Sequence, residues 1–296
     1  MLMVLVVEVR PAEAVGGSGA FNVTNNTTND YTPDYSPSGK KIAFRGKVPR
    51  SGGGITRDIY TINVDGTGRF NVTHNTQDER DPTYSPDGQK IAYTASDGHD
   101  YEIYTINANG TGRVQLTHDN RDEQELSWSP DGTKIAYEGY DGHDHEIYTV
   151  GLGPEHKVVQ VTNNTTYDTD PSFSPSGKMI AYAGRDGQSW DTEIYTIGLD
   201  PAHKVVRVTN DTTPETELCW SPDGTRIAYK GRGIDQRDTE IYTIVLGPEH
   251  KVVQVTNNST RKNGEPSYSP DGKKIAYEGY DGQDKEIYTI DAIGGG

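Results

Sequence analysis

The stretch SPDGTKIAY, Ser129–Tyr137, decides the fold because the chain carries its frame six times. The counterparts are SPSGKKIAF from Ser36, SPDGQKIAY from Ser85, SPSGKMIAY from Ser174, SPDGTRIAY from Ser221 and SPDGKKIAY from Ser269. They start 49, 44, 45, 47 and 48 residues apart. A period of this size marks one supersecondary unit per repeat, stacked so that neighbours bury a common core.

Around each frame, short apolar and aromatic runs alternate with turn residues, and no helical period is present. In the first unit PDYSP (Pro33–Pro37), KKIAFRG and DIYTINV read as strands. The turn DGTG (Asp65–Gly68) then leads to a fourth, FNVT, at Phe70. The sixth unit has three strands and stops at DAIGGG, whereas the first unit is preceded by an additional FNVT at Phe21. The expected fold is an all-β, six-bladed β-propeller of four-stranded antiparallel blades. An N-terminal strand near residues 21 to 24 should complete the last blade beside residues near 286 to 291. Such closure removes exposed sheet edges.

The expected organisation is an N-terminal extension over residues 1–20 and a propeller over 21–296. The run MLMVLVVEVR, Met1–Arg10, is too short to span a bilayer and reads as an extra edge strand or a signal remnant. PAEAVGGSG, Pro11–Gly19, reads as a linker.

Within the frame, proline sets the start of a strand-to-strand turn, and Asp-Gly supplies a side-chain acceptor and a residue that tolerates positive φ. Ser38 and Ser176 replace the aspartate, so that acid forms a turn and is not an essential ligand. Two aromatic sets, Tyr35, Tyr84, Trp128, Phe173, Trp220, Tyr268 and Phe44, Tyr93, Tyr137, Tyr182, Tyr229, Tyr277, are expected to pack between neighbouring blades.

The formal net charge is -16, from 44 acidic and 28 basic residues. This opposes nucleic acid and anionic lipid as partners and favours cations, basic peptides or basic proteins. The single cysteine, Cys219, excludes an internal disulfide and a multi-cysteine metal cluster, and reads as a buried filler beside Trp220.

The SPDGxxIAY frame, preceded by (Asp/Glu)-x-x-(Pro/Leu) and followed by (Asp/Glu)-Ile-Tyr, resembles the WD40-like PD40 repeat of TolB-type propellers. The resemblance covers six repeats from residue 21 onward. It implies that the PxWSP strand is innermost, and it implies a periplasmic or extracellular protein-interaction role. TolB-like translocation proteins also carry an N-terminal α/β domain, whereas about 20 residues precede the repeats here.

Alignment of the copies exposes acids where the chain approaches the axis. Six residues after the preceding threonine stand Asp30, Glu79, Glu123, Asp168 and Glu215. Eight residues after it stand Asp81, Glu125, Asp170 and Glu217, with Glu265 as the sixth-unit counterpart and Thr32 breaking the set in the first. Ten clustered carboxylates repel one another unless solvated, paired or neutralised. A hard cation such as Ca2+ is their natural guest in a central channel. A second acidic series precedes the IYT strands: Asp97, Asp100 and Glu102; Asp141, Asp144 and Glu146; Asp186, Asp191 and Glu193; Asp281, Asp284 and Glu286. These read as polar turns.

His156, His203 and His250 fall at equivalent turns a blade apart, and the sequence has no nucleophile elbow or phosphate loop. Near-repetition of the acids also argues against the asymmetry that a catalytic pair requires. The expected function is therefore a non-enzymatic protein- or ligand-binding propeller with an acidic, cation-binding channel. The alternatives are a carboxylate-based carbohydrate-active hydrolase or lyase and a calcium-stabilised scaffold.

Overall fold

The computed structural model describes residues 13–14, 20–49, 54–185, 191–233, 238–247, 250–257 and 263–292. Six sheets form the ring expected from the repeats. In blade I the inner strand is Asp30–Tyr35, followed by Lys41–Pro49, Ile55–Asn63 and the short outer Phe70–Asn71. Blades II to V repeat this order, with inner strands Glu79–Tyr84, Glu123–Trp128, Asp168–Phe173 and Thr216–Trp220.

Blade VI contributes Gly264–Tyr268, Lys274–Tyr280 and Lys285–Asp291, and its outer strand is Phe21–Asn22 from the other end of the chain. Phe21 pairs with Thr289 and Asn22 with Tyr288. Val23 N–H then donates to Ile287 O at 2.7 Å. Glu13–Ala14 lies parallel to Val253–Gln254 at the outer edge of blade V. The expectation for Met1–Arg10 lies outside the described residues.

The frame performs as a turn in every blade. Ser129 Oγ donates to Asp131 Oδ1 at 2.6 Å and accepts from Lys134 N–H at 2.9 Å, while Gly132 sits at φ +68°. Where serine replaces the aspartate, Ser36 and Ser38 pair through their hydroxyls at 3.1 Å. The turn thus closes with either residue, because one short acceptor is all it needs.

The core lies between blades. Ala43 and Ile59 of blade I pack with Tyr84, Ile91 and Tyr93 of blade II. The same arrangement closes the ring, where Ala276 and Ile287 pack with Tyr35, Ile42 and Phe44. Each second-strand aromatic also stacks on its third-strand neighbour, as Tyr137 does on Tyr148 at 5.5 Å. Offset stacking adds about 0.5–1.5 kcal/mol per pair beyond area burial.

Candidate functional site

Each inner strand carries a bulge. Its register against the second strand slips between Tyr31 and Asp34, Arg80 and Thr83, Gln124 and Ser127, Thr169 and Ser172, Thr216 and Cys219, and Gly264 and Ser267. Four of the six bulges hold a proline, Pro33, Pro82, Pro171 and Pro266, which cannot donate to a ladder and is tolerated where pairing breaks.

The residue before each of these prolines, and before Leu126 and Leu218, has positive φ: Thr32 +48°, Asp81 +51°, Glu125 +54°, Asp170 +53°, Glu217 +56° and Glu265 +51°. For a non-glycine residue this conformation is strained, and it aims the side chain away from the pleat. The six lie at the centre of the ring and line one channel of about 140 Å³, together with Asp34, Cys219 and Ser267.

The ten acids singled out in the sequence therefore divide. Asp81, Glu125, Asp170, Glu217 and Glu265 line the channel. Asp30, Glu79, Glu123, Asp168 and Glu215 are instead fully buried where consecutive blades meet. Glu79 accepts the Ile59 N–H of the preceding blade at 3.2 Å and a short bond from the Thr73 hydroxyl. Asp30 accepts from Asn26 Nδ2 at 2.6 Å and Arg69 at 3.2 Å, and Asp168 from Asn164 Nδ2 at 2.7 Å. Thr117 and Thr209 each donate at 2.8 Å to Glu123 and Glu215. In blade VI, Asn263 takes this place and donates to Glu240 Oε2 at 2.8 Å.

Burial dominates the electrostatics of both sets. It pushes Asp30 up to about 6, Glu79 and Asp168 to about 7, and Glu215 to about 9. In the channel, burial raises Asp170 to about 7, helped by the charges of Glu217 and Glu138. Glu125 and Glu265 lie well above the ordinary carboxylate range, through burial first and then neighbouring acids, Glu265 itself acting on Glu125 and Glu217 acting on Glu265. Asp81 is raised less steeply because the Arg45 guanidinium partly offsets burial.

Counter-charges make the ring uneven. Lys230 Nζ is ion-paired with Glu217 Oε1, and the other oxygen of Glu217 accepts Glu265 N–H at 2.6 Å. Burial pushes the Lys230 ammonium down, but Glu217 reverses this and the net direction is up. In blade II, Thr94 occupies the place of Lys230 and reaches Asp81 Oδ2 at 3.5 Å. In blade III the same place is Glu138, which lies 2.5 Å from His145 Nδ1, with His145 stacked on Tyr167 at 4.5 Å. In blade VI it is Glu278, ion-paired with Lys285.

Sequence reasoning missed this second circle, Arg45, Thr94, Glu138, Ala183, Lys230 and Glu278, and also Asp34. A signal existed. The residue following Ile-Ala-(Tyr/Phe) changes chemistry from copy to copy while its neighbours stay constant. Asp34 accepts Tyr84 N–H at 2.7 Å and the Ser267 hydroxyl at 3.1 Å, and burial raises it to about 6. Cys219 faces the same channel with its thiol pushed up to about 12 by burial, so it is no nucleophile at neutral pH.

Among the described residues, two groups of three acids bring their oxygens close enough to hold a divalent cation: Asp97, Asp100 and Glu102, and Asp141, Asp144 and Glu146. Both lie in hairpins joining second and third strands, away from the channel wall.

The ring and its acid-lined axis define a six-bladed β-propeller with a central polar channel. The family model described as PD40, TolB beta propeller domain, matches residues 15–190 and 125–233, and the chain belongs to that family. No curated protein matches the sequence. Among solved structures, TolB from Acinetobacter baumannii aligns with a TM-score of 0.70 at 19% identity, over 90% of this chain and 64% of that one. The chain thus spans less than two thirds of that relative. A gluconolactonase from Xanthomonas campestris aligns with a TM-score of 0.68 at 10% identity, over 96% and 98% of the two chains. An oligogalacturonate lyase from Vibrio parahaemolyticus aligns at 0.63 and 13%, over 97% and 98%. No helix of the described residues is long and apolar enough to cross a membrane.

These findings correct the expectation of a non-enzymatic binding module. Enzymes share this ring over nearly the full chain, and two groups of acids are close enough to hold a metal ion. Near-repetition of the acids does not make their environments equivalent. The backbone does repeat, but the counter-charges do not, so carboxylates on equivalent bulges differ in protonation and pairing.

Proposed function

We propose that the protein is a carbohydrate-active enzyme that cleaves a glycosidic bond by general acid–base chemistry at the channel carboxylates. The observation that carries this reading is the placing of two unlike acids side by side in blades V and VI, where Glu265 N–H donates to the Glu217 carboxylate. Glu217 is ion-paired with Lys230, while the adjacent Glu265, raised by burial and by the charge of Glu217, holds its proton. A carboxyl raised by its surroundings beside one held in an ion pair is the pattern of an acid and a base working together.

In this reading Glu265 protonates the leaving glycosidic oxygen. Glu217 receives a proton from water in a hydrolase, or from a sugar carbon in a lyase. Lys230 holds Glu217 in place through their ion pair. The bulge strain fixes both carboxyls before substrate arrives, which removes a reorganisation cost at the moment of reaction. The relatives named a lyase of oligogalacturonate and a gluconolactonase support sugar-derived substrates. TolB likeness supports a periplasmic or extracellular location. The oxygen-only donors of the hairpin groups suit a hard divalent cation.

The test is turnover on a panel of neutral and uronic-acid oligosaccharides, read by reducing ends and by the ultraviolet absorbance of unsaturated products. A substrate found in this way should be turned over roughly 10²–10⁴-fold more slowly by Glu265→Gln and Glu217→Gln. Wild-type rates in both variants, or no turnover and no ligand-induced melting shift across the panel, would overturn the reading.

A further inference from the structure

The protein has 19 tyrosines, and only Tyr140 and Tyr280 are exposed, at 41% and 37%. Both end the same stretch, KIAYEGY, which forms the second strand of blade III as Lys134–Tyr140 and of blade VI as Lys274–Tyr280. The other four blades hold Lys47, Ser96, Arg185 and Arg232 at this position. Three blades separate the two tyrosines in a ring of six, so they stand on opposite sides of the channel. The end of each second strand pairs with the start of its inner strand, as Gly139 does with Glu123 and Glu278 with Gly264. Both tyrosines therefore lie on the face where the chain enters the channel wall.

Their surroundings match as well. In blade III, Tyr140 pairs with His145 across the hairpin, and the two rings lie 5.6 Å apart. His145 Nδ1 is 2.5 Å from Glu138 Oε1, and its ring stacks at 4.5 Å on Tyr167 at the entry to blade IV. Arg185 of blade IV covers Tyr167 at 4.7 Å. In blade VI, Tyr280 pairs with Lys285, which is ion-paired with Glu278 and lies 5.0 Å over Tyr31 of blade I. Arg45 of blade I lies over the same ring at 4.5 Å. Tyr167 precedes the first acid of its inner strand, Asp168, whereas Tyr31 follows the corresponding Asp30. Arg45 and Arg185 also differ in repeat position. Copying of the repeat therefore does not account for the likeness, because two of its parts come from non-equivalent positions.

Each patch joins an exposed tyrosine ring to a cation and a carboxylate at its edge. An aryl ring offers an apolar face, and the charged groups beside it supply a donor and an acceptor. A pyranose ring has the matching form, with C–H groups on its face and hydroxyls around its rim. Both patches border the channel, since the charge of Glu138 acts on Glu125 and Asp170, and that of Glu278 on Glu265. Two like patches across one opening fit a ligand that repeats one unit along its length.

We infer that Tyr140 with His145, and Tyr280 with Lys285, are two sugar-binding subsites, and that a linear oligosaccharide crosses the channel mouth with one end on each. On the carbohydrate reading of the channel, on which this assignment rests, the bond presented to the acids is then an interior one. Filling one subsite makes the second contact intramolecular, so affinity rises with chain length until both are filled.

Calorimetry on Glu265→Gln protein reads binding without turnover. The probes are two ladders, oligogalacturonides and cello-oligosaccharides, each from the monomer to long oligomers. In one ladder affinity should climb roughly a hundredfold or more at the length that spans the mouth, and then level off. Tyr140→Ala and Tyr280→Ala should each weaken the long oligomer by about tenfold. Together they should abolish the length dependence, with little change in melting temperature because both rings are on the surface. Tyr140→Phe keeps the ring and should bind as the parent does. Where the wild-type channel turns the oligomer over, the alanine changes should raise KM far more than they change kcat. Binding that ignores chain length, or that survives both alanine changes, would overturn the subsites even if the channel acids prove catalytic. Absence of binding in both ladders would overturn them too. Binding that depends on length and on both tyrosines, without turnover by the wild type, would keep the subsites and sink the proposed reaction.

Discussion

Lys230 pairs with Glu217 across the two inner strands of blade V, where other copies of the repeat place Arg45, Thr94, Glu138, Ala183 or Glu278 against the channel. A cation paired with one acid of the ring makes two neighbouring carboxylates chemically different. Replacing it should expose that role. Lys230→Met leaves Glu217 without its ion-pair partner and should destabilise the fold by about 1–3 kcal/mol. The double variant with Glu217→Gln should regain most of this in a urea titration. Additive losses would mean that the two side chains do not act as a pair.

Stability should fall from mildly acidic to alkaline pH. Burial raises Asp30 and Asp34 to about 6, Glu79 to about 7 and Glu215 to about 9. The native state therefore holds protons that the unfolded chain releases above about pH 4. Each group costs stability as pH rises from its unfolded value to its folded one. At the acid end, Asp87, Asp131, Asp223 and Asp271 are held below their ordinary value by hydrogen bonds from the serine hydroxyls of their turns, so their contribution disappears below about pH 4. Calorimetric melting should peak near about pH 5 and decline toward pH 9. A melting temperature that climbs from pH 5 to 8 would contradict the burial of these groups.

Thr32 marks the one bulge without an acid. It is β-branched, sits at φ +48°, and its hydroxyl has no partner among the described residues. Thr32→Gly relieves the backbone strain and removes the buried hydroxyl, at the cost of a more flexible unfolded chain. A net gain of about 1 kcal/mol is expected in denaturant unfolding. A loss would show that the strain assigned to the bulges is negligible.

Ring closure depends on few residues. Thr24 accepts Ile287 N–H at 2.9 Å and donates to Glu286 across the join. Thr24→Ala deletes both contacts and should cost about 2–3 kcal/mol. Thr28→Ala, which loses only a loop bond to Asn26, should cost under about 1 kcal/mol. Comparable effects in the two variants would argue that the short Phe21–Asn22 strand does not carry closure.

The sequence by itself determined the ring. Six copies of the Ser129–Tyr137 frame fix the blade count, the turns and the strand order, because turn chemistry and alternating apolar residues act locally and repeat with the chain. The missing last strand, supplied by Phe21–Asn22, was legible for the same reason. The acids were legible as a class, since alignment of the copies brings them into register.

Only the tertiary structure decided what each acid does. Two residues of offset send Glu79 into a blade junction and Asp81 into the channel, because the bulge and its positive φ reverse the facing of the strand between them. Protonation and pairing then follow from burial and from residues distant in the chain, as Glu265 N–H meets Glu217. Desolvation and through-space charge depend on the packed ring, and no local pattern in the sequence encodes them.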